Sequence, residues 1–224
     1  MGRQTSFYEQ LLQLPLFQGI SRTDFIEIAE KIKISFFKAT HEQVIAKNDE
    51  LCSELVFILH GETYISKTSF EHDYSFIEIY NQPMVVQPEA LFGLSNRYNR
   101  NYRVRTGAEY IKIEKNYIRD FLFNYPTFRI NFLNTISTQV QQSIRLLSRP
   151  IASDINNRFK FFVLKHCLRP AGYKEVHIKM EKLSEELLET RLNTSKMLHF
   201  FEGKELIKLE RGKITIPHAE LLFQ

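Results

Sequence analysis

Residues 190 to 198 place six side chains that can hydrogen-bond to nucleic acid within a short amphipathic segment. These are Thr190, Arg191, Asn193, Thr194, Ser195 and Lys196. Arg and Lys can pair with guanine O6 and N7, Asn with adenine, and Ser or Thr with bases or phosphates. The strip contains no Glu. It therefore predicts a surface that contacts double-stranded DNA.

Two short helices are needed to position that strip. Leu183, Leu187 and Leu188 are spaced i, i+4, i+5 and predict a first helix with one buried stripe, while Ser184, Glu185 and Glu186 face water. In the second helix, a separate buried stripe is expected. Its members are Met197, Leu198 and Phe201. Thr190 can cap the second helix by accepting a hydrogen bond from a free backbone N–H.

A β-hairpin is predicted after Gly203, where the segment LIKLERGKITI alternates apolar and polar residues around Arg211 and Gly212. The hairpin would place Lys208, Arg211 and Lys213 at or near its tip, in reach of phosphates. Helix, helix and ribbon in this order favour a winged helix-turn-helix that binds DNA. The alternative is a small packed domain whose charges are simply solvated.

Length, charge and cysteine content fit an intracellular two-domain protein. The chain has 224 residues, is 43% hydrophobic and carries a formal net charge of +4. It shows neither the apolar core of a signal peptide at its N-terminus nor a stretch near the ~18 to 20 apolar residues of a membrane span, so a cytoplasmic location is expected. Cys52 and Cys167 are isolated, which predicts two reduced thiols and excludes a four-thiolate iron–sulfur cluster. No cofactor is expected.

Residues 33 to 114 read as an all-β region. The runs ELVFILHGETYISK, YSFIEIY and YRVRTGAEYIKIEK are rich in β-branched and aromatic residues and are separated by turn formers. The short spacing between them favours an antiparallel barrel or jelly roll over a doubly wound sheet. Gly61 is expected to supply a turn or bulge conformation that a Cβ would resist.

A long helix is predicted from residue 126 to 149, with Pro126 in its first turn. Two interleaved sets of residues seven apart give an a/d seam suited to pairing with a copy of itself. The seam consists of Ile130, Leu133, Ser137, Val140, Ile144 and Leu147. The alternative is that this stripe packs on the barrel of its own chain. Pro150 then interrupts the helix, and Ser153 or Asp154 can cap the next one.

The segment from Thr190 to Leu198 resembles the recognition helix of the cyclic-AMP receptor protein and Fnr superfamily, whose pattern is S/T-R-x-T-V-S-R-x-L. It departs from the family at Leu192, where many relatives carry a polar base-reading residue, and at Leu188, which replaces a turn glycine. Upstream, QVIAKNDE, LVFILHGETYI, PEALFGL and RNYRVRT resemble the family's sensor domain in the same order. The resemblance covers nearly the whole chain.

The resemblance implies an α+β fold in three segments. Residues 1–125 would form an N-terminal antiparallel β jelly-roll barrel like those that bind cyclic nucleotides, 126–149 the dimerisation helix, and 150–224 the winged helix-turn-helix. It also implies an effector pocket, for which the matching residues are Glu89, Arg100, Asn101 and Ser143. Pro88, without an N–H, and the bulky Tyr102 depart from the family's phosphate-binding turn, so cyclic AMP is not expected to bind in the usual way.

These patterns predict a dimeric, promoter-binding transcriptional regulator and not an enzyme. Two recognition helices related by a two-fold axis would bind an inverted repeat, RNA polymerase is a further candidate partner, and the effector is unknown. One alternative is a regulator that responds to cyclic nucleotides. Another is a cupin-type metal enzyme, against which His41, His60 and His72 lack the close HxH spacing of such sites.

Overall fold

A computed structural model describes residues 7–69, 73–148 and 152–224. The predictions that concern His72 and Pro150 lie outside these residues. The helices are α1 Phe7–Leu12, α2 Arg22–Lys31, α3 Lys115–Asp120, α4 Pro126–Leu147, α5 Ile155–His166, α6 Met180–Glu186, α7 Arg191–Gly203 and α8 Ala219–Leu222. The strands are β1 Ser35–Thr40, β2 Val44–Ala46, β3 Glu54–Ser69, β4 Tyr74–Tyr80, β5 Met84–Val86, β6 Asn101–Glu114, β7 Lys174–His177, β8 Lys208–Glu210 and β9 Lys213–Ile216.

The chain forms two compact units. Unit 1 comprises residues 1–63, 81–99 and 103–147, and unit 2 comprises residues 64–80, 100–102 and 148–224. The fold is α+β with antiparallel strand pairing, as predicted. Residues 64–80 and 100–102 group with the C-terminal part of the chain. No helix of the described residues is both long enough and apolar enough to span a bilayer.

Unit 1 is built on an antiparallel sheet in which β6 pairs with β1 from Ser35 opposite Lys112 to Thr40 opposite Gly107. The same unit contains the pair β3 and β5, with Val56 opposite Val86. Of these four strands, β3 and β6 coincide with predicted β-branched and aromatic runs, whereas β1 and β5 were not predicted. The helix α4 is fixed to this unit by Phe128, whose ring centroid lies 5.4 Å from that of Phe17, and by the buried Phe132.

Gly61 occupies a position that no other residue can take without rearrangement. Its φ is +109°, and a Cβ built there would lie 2.0 Å from the carbonyl oxygen of Gly107 and 2.6 Å from the Cα of Ala108. Both values are far shorter than any van der Waals contact. The prediction that this glycine is needed for a backbone conformation resistant to a Cβ is confirmed, since the backbones of β3 and β6 approach closely here.

Unit 2 has one core to which helices and strands both contribute. Helices α5, α6 and α7 contribute seven of its described buried residues, and β9 contributes Ile214 and Ile216. From β4, Tyr74 and Phe76 join the same cluster. Asp154 caps α5 by accepting a hydrogen bond from the N–H of Asn157 at 3.0 Å, as predicted. The helical part of this unit is therefore completed by a strand from far upstream in the sequence.

Candidate nucleic-acid interface

Helices α6 and α7 are joined by a tight turn at Leu188. The N–H of Leu188 donates to Glu185 O at 3.0 Å and the N–H of Glu189 donates to Ser184 O at 2.9 Å, which is the Schellman pattern for ending a helix. Leu188 occupies the left-handed position of that motif, with a φ of +52°. Leu188 thus stands where the sequence comparison expected a turn glycine, and its backbone adopts the left-handed conformation that favours glycine.

The buried face of α6 differs from the predicted one at two positions. Leu183 and Leu187 are buried as expected, but Leu188 is 67% exposed. Ser184, predicted to face water, is buried and donates its hydroxyl to Met180 O at 2.8 Å. The prediction for Leu188 was wrong because α6 ends at Glu186 and the left-handed turn points Leu188 outward. The prediction for Ser184 was wrong because it lies on the same helical face as Met180, Leu183 and Leu187, which pack into the core.

Thr190 caps α7 as predicted, with its hydroxyl oxygen accepting from the N–H of Asn193 at 3.2 Å. The buried stripe of Met197, Leu198 and Phe201 is also present. Glu189 links α5 to this helix, because it accepts hydrogen bonds from Arg158 and from the Asn193 amide. The Asn193 hydrogen bond and the Arg158 charge lower the pKa of Glu189. Arg158 forms its ion pair with Glu189.

The outward flank of α7 carries most of the predicted strip. Arg191, Asn193 and Lys196 are exposed and Ser195 is partly exposed. In the described part of the chain, Arg191 and Lys196 form no ion pair. Thr194 is the exception, since it is completely buried and its hydroxyl has no hydrogen-bond partner among the described residues. The prediction that Thr194 contacts DNA is therefore wrong. Thr194 lies three residues before Met197 and shares its buried face.

The wing is present as the hairpin of β8 and β9. Lys208 pairs with Thr215 and Glu210 with Lys213, which leaves Arg211 and Gly212 as a two-residue loop. Gly212 has a φ of +72°, a left-handed conformation that favours glycine. Lys208 and Arg211 are exposed. The Lys213 amine lies 3.3 Å from Glu210 and 3.8 Å from Glu175, so part of its charge is neutralised within the chain.

The seam of α4 is uncovered by the chain's own side chains. The apolar residues of the predicted seam are each more than half exposed: Ile130, Leu133, Val140, Ile144 and Leu147. Ser137, between them, is also exposed. Only Phe128 and Phe132 of this helix are buried, and both precede most of the seam. The helix thus combines a short buried anchor with a long apolar stripe that faces outward.

The four residues predicted for an effector pocket are divided between the units. Glu89, which accepts from the Gln87 amide at 3.3 Å, and the exposed Ser143 belong to unit 1. Arg100 and Asn101 belong to unit 2. Arg100 donates to His166 O at 3.2 Å and lies 3.5 Å from Glu78, while Asn101 donates to the Ser66 hydroxyl at 3.5 Å. The guanidinium that would hold a phosphate is therefore engaged within its own unit.

Strand β4 adds to the winged-helix sheet, a feature that the sequence analysis missed. It pairs antiparallel with β7, with Phe76 opposite Val176 and Glu78 opposite Lys174. In β4 the buried positions alternate as Tyr74, Phe76 and Glu78. A carboxylate on the apolar face of a strand indicates a buried cation near it, so this alternation was a signal for the cation, although it does not identify the partner strand.

The partner of Glu78 is the fully buried Lys174. Their charged atoms lie 2.7 Å apart, Glu78 also accepts the N–H of Leu168 at 2.7 Å, and Lys174 donates to Ala171 O at 2.8 Å. Arg100 is the second cation of this cluster. The two carboxylate oxygens and the ammonium thus have hydrogen-bond partners, which is the condition for burying charges without a large desolvation cost.

Metal and thiol chemistry have no support in the described residues. No group of three or more His, Cys, Asp or Glu residues there could hold a metal ion. His41 contacts Arg105 O and lies 3.8 Å from Glu42. Both cysteines are free. Burial raises the pKa of Cys52, and raises the pKa of Cys167 to about 12, so both thiols stay protonated at neutral pH.

The units together define a β-barrel region followed by a long helix and a winged helix-turn-helix. No family model and no curated sequence matches the chain. The Thermus thermophilus catabolite activator protein has a structure similar to this one, with 15% identity, coverage of 93% of this chain and 96% of that chain, and a TM-score of 0.50. A Crp/Fnr family transcriptional regulator structure from Eubacterium rectale shows 16% identity, 93% and 95% coverage, and a TM-score of 0.52.

A third similar structure is that of CLP from Xanthomonas campestris, described as a c-di-GMP responsive global regulator. It has 14% identity, covers 87% of this chain and 99% of that chain, and has a TM-score of 0.52. The fold of this chain is therefore that of Crp/Fnr family transcriptional regulators.

Proposed function

We propose that the chain is a sequence-specific DNA-binding transcriptional regulator of the Crp/Fnr type and acts as a homodimer. The proposal rests on the outward flank of α7, where Arg191 and Lys196 are exposed and free of ion pairs among the described residues. The same unit carries the exposed cations Lys208 and Arg211 of the wing. A helix that presents unpaired cations at its first turns, with a basic ribbon, suits base edges and phosphates together.

The exposed seam of α4 supports the dimer. A stripe of five large apolar side chains, each more than half exposed, would be costly in water and is buried when two such helices pair. Two copies of α7 related by a two-fold axis can enter successive major grooves about 34 Å apart. The DNA site should then be an inverted repeat.

The proposal includes a barrel that does not bind cyclic AMP in the usual way. Arg100 is held by Glu78 and by the carbonyl of His166, and Tyr102 is fully buried where relatives carry a small residue. Pro88 offers no N–H to an anion. Titration calorimetry with cyclic AMP and cyclic GMP tests this part separately: no heat is expected with either nucleotide, and micromolar binding of one would make the chain a nucleotide-responsive regulator.

Selection of bound sequences from random duplexes, with the purified full chain, tests the central proposal. An inverted repeat should be enriched, with half-site centres about one helical turn apart. Enrichment of a single, non-repeated site would contradict the dimeric arrangement. Failure to retain any duplex at moderate salt would contradict DNA binding altogether.

A further inference from the structure

Leu192 is a large apolar side chain exposed on the proposed DNA-contacting flank. It is the second residue of α7, two positions after the cap Thr190, and is 64% exposed. Its neighbours Arg191 and Asn193 are exposed and polar. Exposing a leucine in water is unfavourable, and the helix gains nothing from it in packing because the buried stripe is supplied by other residues.

The first turn of a recognition helix is the part that approaches base edges in the major groove. Most base-edge atoms in the major groove are hydrogen-bond donors or acceptors, and a leucine packed against them would leave them without partners. The C5-methyl of thymine is apolar and needs no such partner. Thymine is thus the base whose edge suits this side chain.

We propose that Leu192 is a specificity-determining residue that selects thymine by contact with its C5-methyl group. This inference rests on the proposed function and names one base within the expected half-site. It also explains why a leucine is compatible with DNA binding at this position, because its contact is with a methyl group and needs no hydrogen bond.

The test replaces thymine by deoxyuridine, which removes the methyl group and leaves every hydrogen-bonding atom in place. Each thymine of the selected half-site is substituted in turn, and dissociation constants are measured at one fixed salt concentration. At one thymine per half-site, the substitution should weaken binding by about four-fold, the value expected when one methyl-sized group is no longer buried. In the Leu192→Ala variant the same substitution should have little effect.

Leu221→Ala is the matched control, since Leu221 is 46% exposed on α8 of the same unit. It should keep the full thymine dependence, and circular dichroism melting should show that both variants are folded. Three outcomes would overturn the inference: no thymine position depends on its methyl group, the dependence persists in Leu192→Ala, or Leu192→Ala leaves DNA binding unchanged and so assigns the leucine to a protein contact. Absence of all duplex binding would instead overturn the proposed function, and this inference with it.

Discussion

Glu78 and Lys174 form an ion pair of 2.7 Å in which the two side chains are only 3% and 2% exposed. They lie directly opposite each other in the pairing of β4 with β7. A buried pair of this kind stabilises little relative to apolar residues, but loss of either member is destabilising. Lys174 alone would have no counter-charge, and Glu78 alone would keep only Arg100, at 3.5 Å. This pair therefore makes the β4 to β7 pairing specific.

Replacing Lys174 by Met should lower the free energy of unfolding by about 3 to 5 kcal/mol, as measured by urea denaturation. Lys179→Met is the matched control, because the Lys179 to Asp73 pair is 3.0 Å long but 77% and 79% exposed. It should cost at most about 1 kcal/mol. The double variant Glu78→Gln with Lys174→Met should recover part of the loss, and a Lys174→Met variant as stable as the parent would contradict this account.

Gly61→Ala should be among the most destabilising single-methyl changes in the chain. The added Cβ would clash with the Gly107 backbone at 2.0 Å, so β3 and β6 would have to separate. Gly93→Ala is the control for backbone strain without a steric clash, because Gly93 has a φ of +100° and no atom lies within 4 Å of an added Cβ. Gly93→Ala should cost about 1 to 3 kcal/mol. Thermal melting should show a clearly larger loss for Gly61→Ala, and equal losses would refute the clash.

Stability should fall between pH 6.5 and pH 4 because of His166. Burial is the largest cause that lowers its pKa from 6.5 to about 4, aided by the charges of Lys67, Lys165 and Arg100. The geometry agrees with a neutral ring: Nδ1 donates to Phe162 O at 2.7 Å, and Nε2 can accept from the Tyr74 hydroxyl at 3.0 Å.

Because the folded pKa of His166 is the lower one, the unfolded chain binds the proton first as the pH falls. The contribution is absent above pH 6.5 and grows to a loss of about 3 kcal/mol near pH 4. Urea denaturation at several pH values should show this slope reduced in His166→Gln and retained in His60→Gln, which changes an exposed histidine. An unaltered slope in His166→Gln would assign the acid sensitivity to other groups.

Ile144→Glu should convert the proposed dimer to a monomer. The substitution places a charge on each helix within the C-terminal half of the α4 seam, where the two copies would meet, and Ile144 is 56% exposed in the single chain. Gln142→Glu adds the same charge on the opposite side of the exposed part of the helix and should remain dimeric. Sedimentation equilibrium distinguishes the two, and a dimeric Ile144→Glu variant would mean that another surface forms the interface.

Arg191→Ala and Lys196→Ala should each weaken operator binding without lowering the melting temperature, because both side chains are exposed. If each contacts phosphate, the slope of log K against log salt should fall by about one for every contact removed. Lys33→Ala removes the same charge from an exposed position between α2 and β1 and should leave both affinity and slope unchanged. Equal gel-shift affinities for all three variants would argue against α7 as the reading helix.

Local patterns were sufficient to predict much of this fold. The helix predicted at 126–149 spans Pro126–Leu147, and the long strands β3 and β6 coincide with the β-branched runs. Thr190 and Asp154 cap their helices because short polar side chains before an apolar stripe can accept backbone N–H groups wherever the chain lies. These features depend on neighbours within a few residues.

The missed features depend on distant partners or on where a helix ends. Pairing of β4 with β7 joins residues about a hundred positions apart, and periodicity within YSFIEIY cannot specify which strand it will meet. Leu188 was misplaced because the predicted stripe ran past the end of α6 at Glu186, and Ser184 because it lies four residues after Met180 on the buried face. Thr194 was assigned to the wrong face of α7. It lies three and four residues before Met197 and Leu198, a spacing that already indicated a buried position.

Because β4 pairs with β7 in unit 2, the helix-turn-helix cannot be moved to another protein as a continuous C-terminal segment. A fragment beginning at residue 152 would lack β4, so the open edge of β7 could recruit other chains and Lys174 would lose its carboxylate. Such a fragment should aggregate where the full chain does not. A chimaera that contains α5 to α8 must also contain residues 64–80, so the segment to be transferred is discontinuous along the polypeptide.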